Sequence, residues 1–176
     1  RIPKQGRFVQ IAQIYHSVHL DIQKRQAHQK YSTSRFLGKE GEKVEDLSHE
    51  FYNLGHMVEG AVAHYQATGQ KNFLNIAIRY ADCVCREIGD KPGQQVKVPG
   101  HQIAEMALAK LYVVTGDKKY LDEAKFFLDK RGYTERKDEY SQAHKPILEQ
   151  NEAVGHAVRA AYMYSGIADV AALTGD

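Results

Sequence analysis

The chain has 176 residues, 43% of them hydrophobic and 26% charged, with 24 Lys and Arg against 22 Asp and Glu for a formal net charge of +2. That length suffices for one domain with a real core. The basic residues are spread among acids, which excludes the clustered positive footprint of a nucleic-acid binder, and no apolar run approaches the roughly 20 residues that span a bilayer.

In chain order the pattern is helical. Residues 7–29 form a weak first candidate, with Ile11, Ile14, Tyr15, Val18 and Ile22 on one side, and residues 31–46 read as a polar, glycine-containing loop. A helix is expected over 48–67, stopped by Thr68-Gly69, because glycine just past a helix accepts the left-handed conformation at little cost. The next, over 71–88, carries Phe73, Ile76, Ala77, Tyr80, Val84 and Ile88 at amphipathic spacing, and Asp90-Lys91-Pro92-Gly93 turns the chain. A helix over 101–114 stops at Thr115-Gly116. Asp117 caps the one over 118–131, which lines up Tyr120, Leu121, Ala124, Phe127 and Leu128. Residues 133–148 read as a polar loop, and a last helix is expected over 150–173, before Thr174-Gly175.

The stops repeat. Tyr65-Gln-Ala-Thr68-Gly69 and Tyr112-Val-Val-Thr115-Gly116 share the phrase Tyr-x-x-Thr-Gly, and Thr174-Gly175-Asp176 echoes Thr115-Gly116-Asp117. Two helices per unit at this period make an all-α array of antiparallel hairpins, which bury their faces by stacking on one another. The whole of 1–176 is read as one helical segment. It stops where the partner of the last helix is expected, which reads as a piece of a larger protein. Arg1 is not a natural start, so a removed leader is compatible with the sequence, and the compartment is left open.

A second repeat carries the candidate site. Gly55-His56, Gly100-His101 and Gly155-His156 each stand at an expected helix start, each with an acid three or four residues away: Glu59, Glu105 and Glu152. Such residues share one helix face. Imidazoles that donate and accept suit hydroxyl-rich ligands, and a neighbouring carboxylate can fix their tautomer. Successive hairpins place the three helix starts at one end, so the rings are expected to converge within roughly 10–15 Å. Glu149 and Glu152 extend the stripe below His156, with helix-start stabilisation as their plainer role, and His144 with Gln142 lies in the loop before it. His49 and His64 read as scaffold, and Tyr162 and Tyr164 as packing groups. The chain has no tryptophan, hence no large flat stacking platform for a sugar.

Other chemistries find no support. There is no glycine-rich phosphate loop, no Gly-x-Ser-x-Gly elbow, and His49-Glu50 reaches its next histidine only at His56, the wrong spacing for a zinc-protease helix. Cys83 and Cys85 stand two apart on an expected helix and point to different sides, poor partners for a shared metal or a disulfide.

The stretches Tyr52-Asn-Leu-Gly-His56-Met, Ala63-His-Tyr65-Gln-Ala-Thr-Gly69, Val98-Pro-Gly-His101-Gln, Thr115-Gly-Asp-Lys-Lys-Tyr120-Leu and Tyr140-Ser-Gln-Ala-His144-Lys-Pro-Ile-Leu-Glu149-Gln-Asn-Glu-Ala-Val-Gly-His156-Ala-Val-Arg159 resemble glycoside hydrolase family 127, the beta-L-arabinofuranosidase-like proteins, over about residues 44–176. The resemblance implies part of an (α/α)6 barrel, followed by β-domains in longer members. It implies hydrolysis of terminal L-arabinofuranosides, or a related plant-type glycan, with retention. It also implies a zinc-held cysteine nucleophile and a glutamate acid/base. Those groups and the zinc ligands lie beyond the matching stretch, so this segment is expected to supply no catalytic residue and no metal ligand, and to be inactive alone. What carries over is substrate binding by His56, His101 and His156, with His144, Glu149 and Glu152 as further candidates, and a carbohydrate as the partner. The competing reading is a helical-repeat interaction module without catalysis. A barrel gathers the three histidines around one mouth, whereas a solenoid spreads them along a groove.

Overall fold

The structure, a computed structural model, describes residues 49–176; the expected helix over 7–29 and the loop over 31–46 lie outside the described residues. Five α-helices follow in order: α1 Glu50–Thr68, α2 Asn72–Glu87, α3 Ala104–Thr115, α4 Lys118–Lys130 and α5 Ala157–Thr174, with a 3-10 turn at Ile147–Glu149. Among the described residues there is no strand, only an isolated bridge between Ile88 and Gln95.

The helices form two layers. α3 lies between α1 and α5 and packs on both, while α2 backs α1 and α4 backs α3. The layering follows from side-chain pattern. α2 and α4 are apolar along one stripe and charged elsewhere, as helices with one covered face must be. They bury Phe73, Leu74, Ala77 and Val84, and Tyr120, Leu121, Ala124 and Phe127. α3 is covered on several sides and is apolar nearly all round, burying Ala104, Ala107, Leu108, Ala109 and Leu111. The layers meet at Phe51 and Phe127, whose rings lie edge to face at 5.3 Å, a favourable arrangement for aromatic quadrupoles.

The repeated Thr-Gly is one device used three times. The hydroxyls of Thr68, Thr115 and Thr174 donate to the carbonyl four residues back, at 2.7, 2.7 and 2.8 Å. Each then accepts from the peptide N–H two residues on, at 3.1 to 3.4 Å. The glycines that follow are left-handed at φ 72, 73 and 77°, and donate back to Tyr65, Tyr112 and Ala171. This satisfies helix-end carbonyls that would otherwise lack partners. Asp117 caps α4 as expected, accepting from Lys119 N at 3.2 Å.

Two expected helix starts are corrected. The helix expected from residue 101 begins at Ala104, because residues 99–103 form a turn whose carbonyls are claimed from elsewhere: Arg131 donates to Pro99 and Arg159 to Gly100. The helix expected from residue 150 begins at Ala157. Gly155 is left-handed at φ 72°, and a Cβ there would sit 1.8 Å from the Glu139 carbonyl oxygen. The Val154 and His156 carbonyls accept from the Gln142 side chain. A helix cannot pass through that knot. Glu149 therefore sits on the 3-10 turn and Glu152 on the loop after it, not on a helical face with His156.

Candidate functional site

The three Gly-His pairs are built in three different ways. His56 lies inside α1, past its first turn; His101 lies in the turn before α3; His156 is the N-cap of α5. The first glycine is required by packing, since a Cβ on Gly55 would stand 2.5 Å from Cγ2 of Ile103, whereas Gly155 is required by its backbone conformation.

Despite these differences the rings converge. His101 and His156 are 6.1 Å apart, centroid to centroid. Tyr52 touches both His56, at 4.3 Å, and His101, at 4.6 Å. From α5, Tyr162 meets the same two rings at 6.1 and 6.0 Å. His49 abuts Tyr52, and Tyr140 lies 5.2 Å from His156. His56 and Tyr140 are exposed, while Tyr52, His101, His156 and Tyr162 are half-buried. The result is a patch of imidazoles and phenols at one end of the inner helices, open to solvent and joined mostly edge to face.

The carboxylates do not accompany them. Glu105 is fully buried, one oxygen on the Arg131 guanidinium at 3.2 Å and the other accepting from Ile103 N at 3.1 Å. Glu59 holds Lys110 at 2.9 Å. Glu149 and Glu152 are exposed, so the same-face pairing expected from spacing is not formed. His144 is half-buried in the loop, its Nδ1 enclosed and without a hydrogen-bond partner.

Backbone groups orient the imidazoles instead. Nδ1 of His101 lies 2.8 Å from the carbonyl of Gln102, so it bears the proton and donates. That leaves Nε2 a bare acceptor. Nδ1 of His156 accepts from the peptide N–H of Arg159 at 3.4 Å, so in the neutral ring Nε2 carries the proton and donates. The pair thus offers one acceptor and one donor. Burial lowers the pKa of His101 below its ordinary value; its bond to Gln102 opposes this, and the charges of Arg159, His156 and His49 add to the lowering. Burial lowers His56 as well, against the pull of Glu59. Imidazoles kept neutral are suited to uncharged hydroxyls.

Beneath the rings lies a buried polar layer that sequence spacing does not show. Arg131 donates to Ser141 O at 3.1 Å and Pro99 O at 2.8 Å besides pairing with Glu105. Gln102 donates to Ser141 O at 2.8 Å and to the Gln142 side-chain oxygen at 2.9 Å. Arg159 covers the Tyr140 ring, its guanidinium carbon 4.8 Å from the centroid. Its guanidinium is depressed in pKa chiefly by burial. Gln142, which its loop position made a possible ligand contact, is fully buried and faces backbone. In the sequence this layer shows only as Gln102 directly after Gly100-His101 and Arg159 three residues past His156.

Among the described residues no three His, Cys, Asp or Glu side chains form a group able to hold a metal. Cys83 and Cys85 lie on outer helix α2, both thiols raised in pKa by burial, the opposite of what a metal-held thiolate requires. Nor is any described helix long and apolar enough to cross a membrane.

The family described as "Beta-L-arabinofuranosidase, GH127 catalytic domain" matches residues 15–176. A non-reducing end beta-L-arabinofuranosidase of Bifidobacterium longum subsp. longum is 38% identical over 150 residues, covering 73% of this chain and 23% of that protein. Among solved structures, a GH127 beta-arabinofuranosidase is 81% identical with a TM-score of 0.75, covering 76% of this chain and 21% of that one. A GH127 beta-L-arabinofuranosidase from Geobacillus stearothermophilus T6 is 40% identical with a TM-score of 0.74, covering 81% and 25%. The chain thus spans between a fifth and a quarter of the length of these relatives.

Proposed function

The chain belongs to glycoside hydrolase family 127, and from that premise we propose that the described residues form one sugar-binding wall of a catalytic (α/α)6 barrel. The whole protein releases terminal L-arabinofuranose, or a closely related plant-type sugar, with retention. His56, His101 and His156 are its sugar contacts. His144, Glu149 and Glu152 belong to the loop that ends in His156 and serve the outer part of the same ligand. The nucleophile and the acid/base lie elsewhere in the polypeptide. Zinc, implied by the resemblance, finds no fitting ligand set among the described residues. The role assigned to this segment is therefore to bind and orient.

The observation that carries this reading is the convergence of His101 and His156 at 6.1 Å, with His56 joined to them through Tyr52 and Tyr162. A repeat module would space its polar groups one hairpin apart along a groove. Here they share one mouth. Rings of opposite hydrogen-bond polarity can accept from one sugar hydroxyl and donate to another, as small polar-ligand sites require.

The test is substitution in the full-length protein. His101→Ala and His156→Ala are expected to lower kcat/KM on an aryl beta-L-arabinofuranoside by about 10-fold or more, with thermal midpoints close to the parent's. Unchanged kcat/KM in both variants defeats the sugar-contact reading.

A further inference from the structure

The geometry points to Gln102, Gln142 and Arg159 as positioning residues that set the spacing and the opposite hydrogen-bond polarity of the His101–His156 pair without touching the ligand. The inference rests on the sugar-contact reading of those two histidines and adds the parts that hold them.

All three side chains are buried, the two glutamines completely, so none is available to a ligand. What they do is cross-link two turns from different hairpins. Gln102 acts at both ends: its backbone carbonyl receives the His101 Nδ1 proton, and its side-chain amide donates to Ser141 O and to the Gln142 oxygen. Gln142 then donates to Val154 O at 2.9 Å and His156 O at 3.3 Å. A continuous path therefore runs from one imidazole, through two amides, to the residue bearing the other. Arg159 returns in the opposite sense. Its peptide N–H donates to Nδ1 of the N-cap His156, and its guanidinium donates to Gly100 O, next to His101.

The amide orientations follow from the partners. Three carbonyl oxygens surround the Gln142 nitrogen, at Tyr140, Val154 and His156, so its oxygen faces Gln102 and must accept. Gln142 holds a left-handed backbone at φ 54°, a conformation that costs a residue with a side chain and persists only where the surroundings impose it. Gln150 adds a bond from its side chain to Gln142 O at 2.9 Å. These bonds form a clasp around one residue of left-handed backbone, tying together two loops, although Gln102 Oε1, Gln150 Oε1 and Arg159 Nε within it are buried without a partner.

If the clasp positions the rings, loosening it should change the histidines more than it changes stability. Gln142→Met keeps the volume and removes both the donor and the acceptor. In full-length protein labelled with 15N-histidine, the parent should show His101 protonated at Nδ1 and His156 at Nε2. Gln142→Met should give mixed tautomers at His156 and a kcat/KM lower by roughly 10-fold or more, expressed mainly in KM. Val84→Ala, a core change on outer helix α2, serves as a comparison of similar destabilisation that should leave tautomers and kcat/KM at parental values. Should Gln142→Met fail to accumulate folded, Gln102→Met, which spares the Gln142 bonds to Val154 and His156, carries the same readouts at His101. Parental tautomers overturn the inference, as does a loss of kcat/KM no larger than that of Val84→Ala where His101→Ala and His156→Ala themselves lose kcat/KM. The tautomer readout needs no sugar, so the clasp is judged even if His101→Ala and His156→Ala prove silent and the sugar-contact reading falls alone.

Discussion

Protonating His101 would turn its Nε2 from an acceptor into a donor, so its pKa fixes the pH range in which the pair keeps its two polarities. Burial, and then the nearby charges, hold that pKa below the ordinary 6.5. The folded chain therefore carries fewer protons at this site than the unfolded chain just under pH 6.5, so stability should fall with acid there, while sugar affinity falls once the folded ring itself is protonated. Both hold fully above 6.5 and are lost as pH drops through the depressed pKa. Histidine NMR titration of the full-length protein should place the His101 midpoint below 6.5, with sugar affinity following it down; a midpoint at or above 6.5 would contradict this. Glu123 on α4 runs the other way. Burial raises its carboxyl from 4.5 to about 8, with Lys91 opposing and Asp90 adding, and one of its oxygens is enclosed without a partner. Folded protein keeps a proton that the unfolded chain has released between those values, so stability should decline from pH 4.5 to 8. Glu123→Gln should raise the thermal midpoint at pH 8.5, corresponding to about 1 kcal/mol or more, and change it little at pH 5.

Two glycines of α1 make opposite predictions at the scale of the element. Gly60 sits mid-helix, and a Cβ there would meet Phe73 at an ordinary 3.6 Å. Gly60→Ala should stabilise by about 0.5–1 kcal/mol, through helix propensity alone. Gly55→Ala drives a methyl into Ile103, at a cost of about 1–3 kcal/mol. It should also weaken sugar binding, because Ile103 ends the turn that carries His101. Denaturant midpoints and sugar affinity for both variants check this. The same contrast shows what the sequence discloses. Helix stops were legible to within a residue or two, since Thr-Gly is a local device whose bonds all fall within six residues. Helix starts at Ala104 and Ala157 were not, because they are set by Arg131, Arg159 and Gln142, whose partners lie up to 59 residues away. Likewise the convergence of the histidines was legible from their repeat. The diversion of Glu105 to Arg131 was not, since spacing cannot say which way an acid beside a turn will face.

For the molecule as a whole, the described residues are an arc of inner and outer helices from an (α/α)6 barrel, all-α as the apolar periods require. If this segment binds sugar while the nucleophile lies elsewhere in the polypeptide, as proposed, it should not turn over alone. The 176-residue chain assayed alone on an aryl L-arabinofuranoside, beside its full-length parent, is expected to show no hydrolysis with or without added zinc. Turnover by the fragment would mean that the reacting groups had been placed in the wrong part of the polypeptide.

The shared Thr-Gly stop also gives a common zero from which to measure height. His56 stands 12 residues before Thr68, His101 14 before Thr115 and His156 18 before Thr174. Packing keeps the helices nearly in step: Gly55, 13 residues before its stop, abuts Ile103, 12 before its own, and Gly166, 8 before its stop, abuts Glu105 and Met106, 10 and 9 before theirs. The histidine backbones therefore stand progressively farther from their stops from α1 to α5, His101 and His156 lying just before the first helical residues, Ala104 and Ala157. Tyr162, also 12 residues before Thr174, is level with His56. His56 and Tyr162 face each other across the patch with ring centroids 6.1 Å apart, while the His101 and His156 backbones stand farther from their stops. The rings thus converge from backbones that stand at three different distances from a shared helix stop.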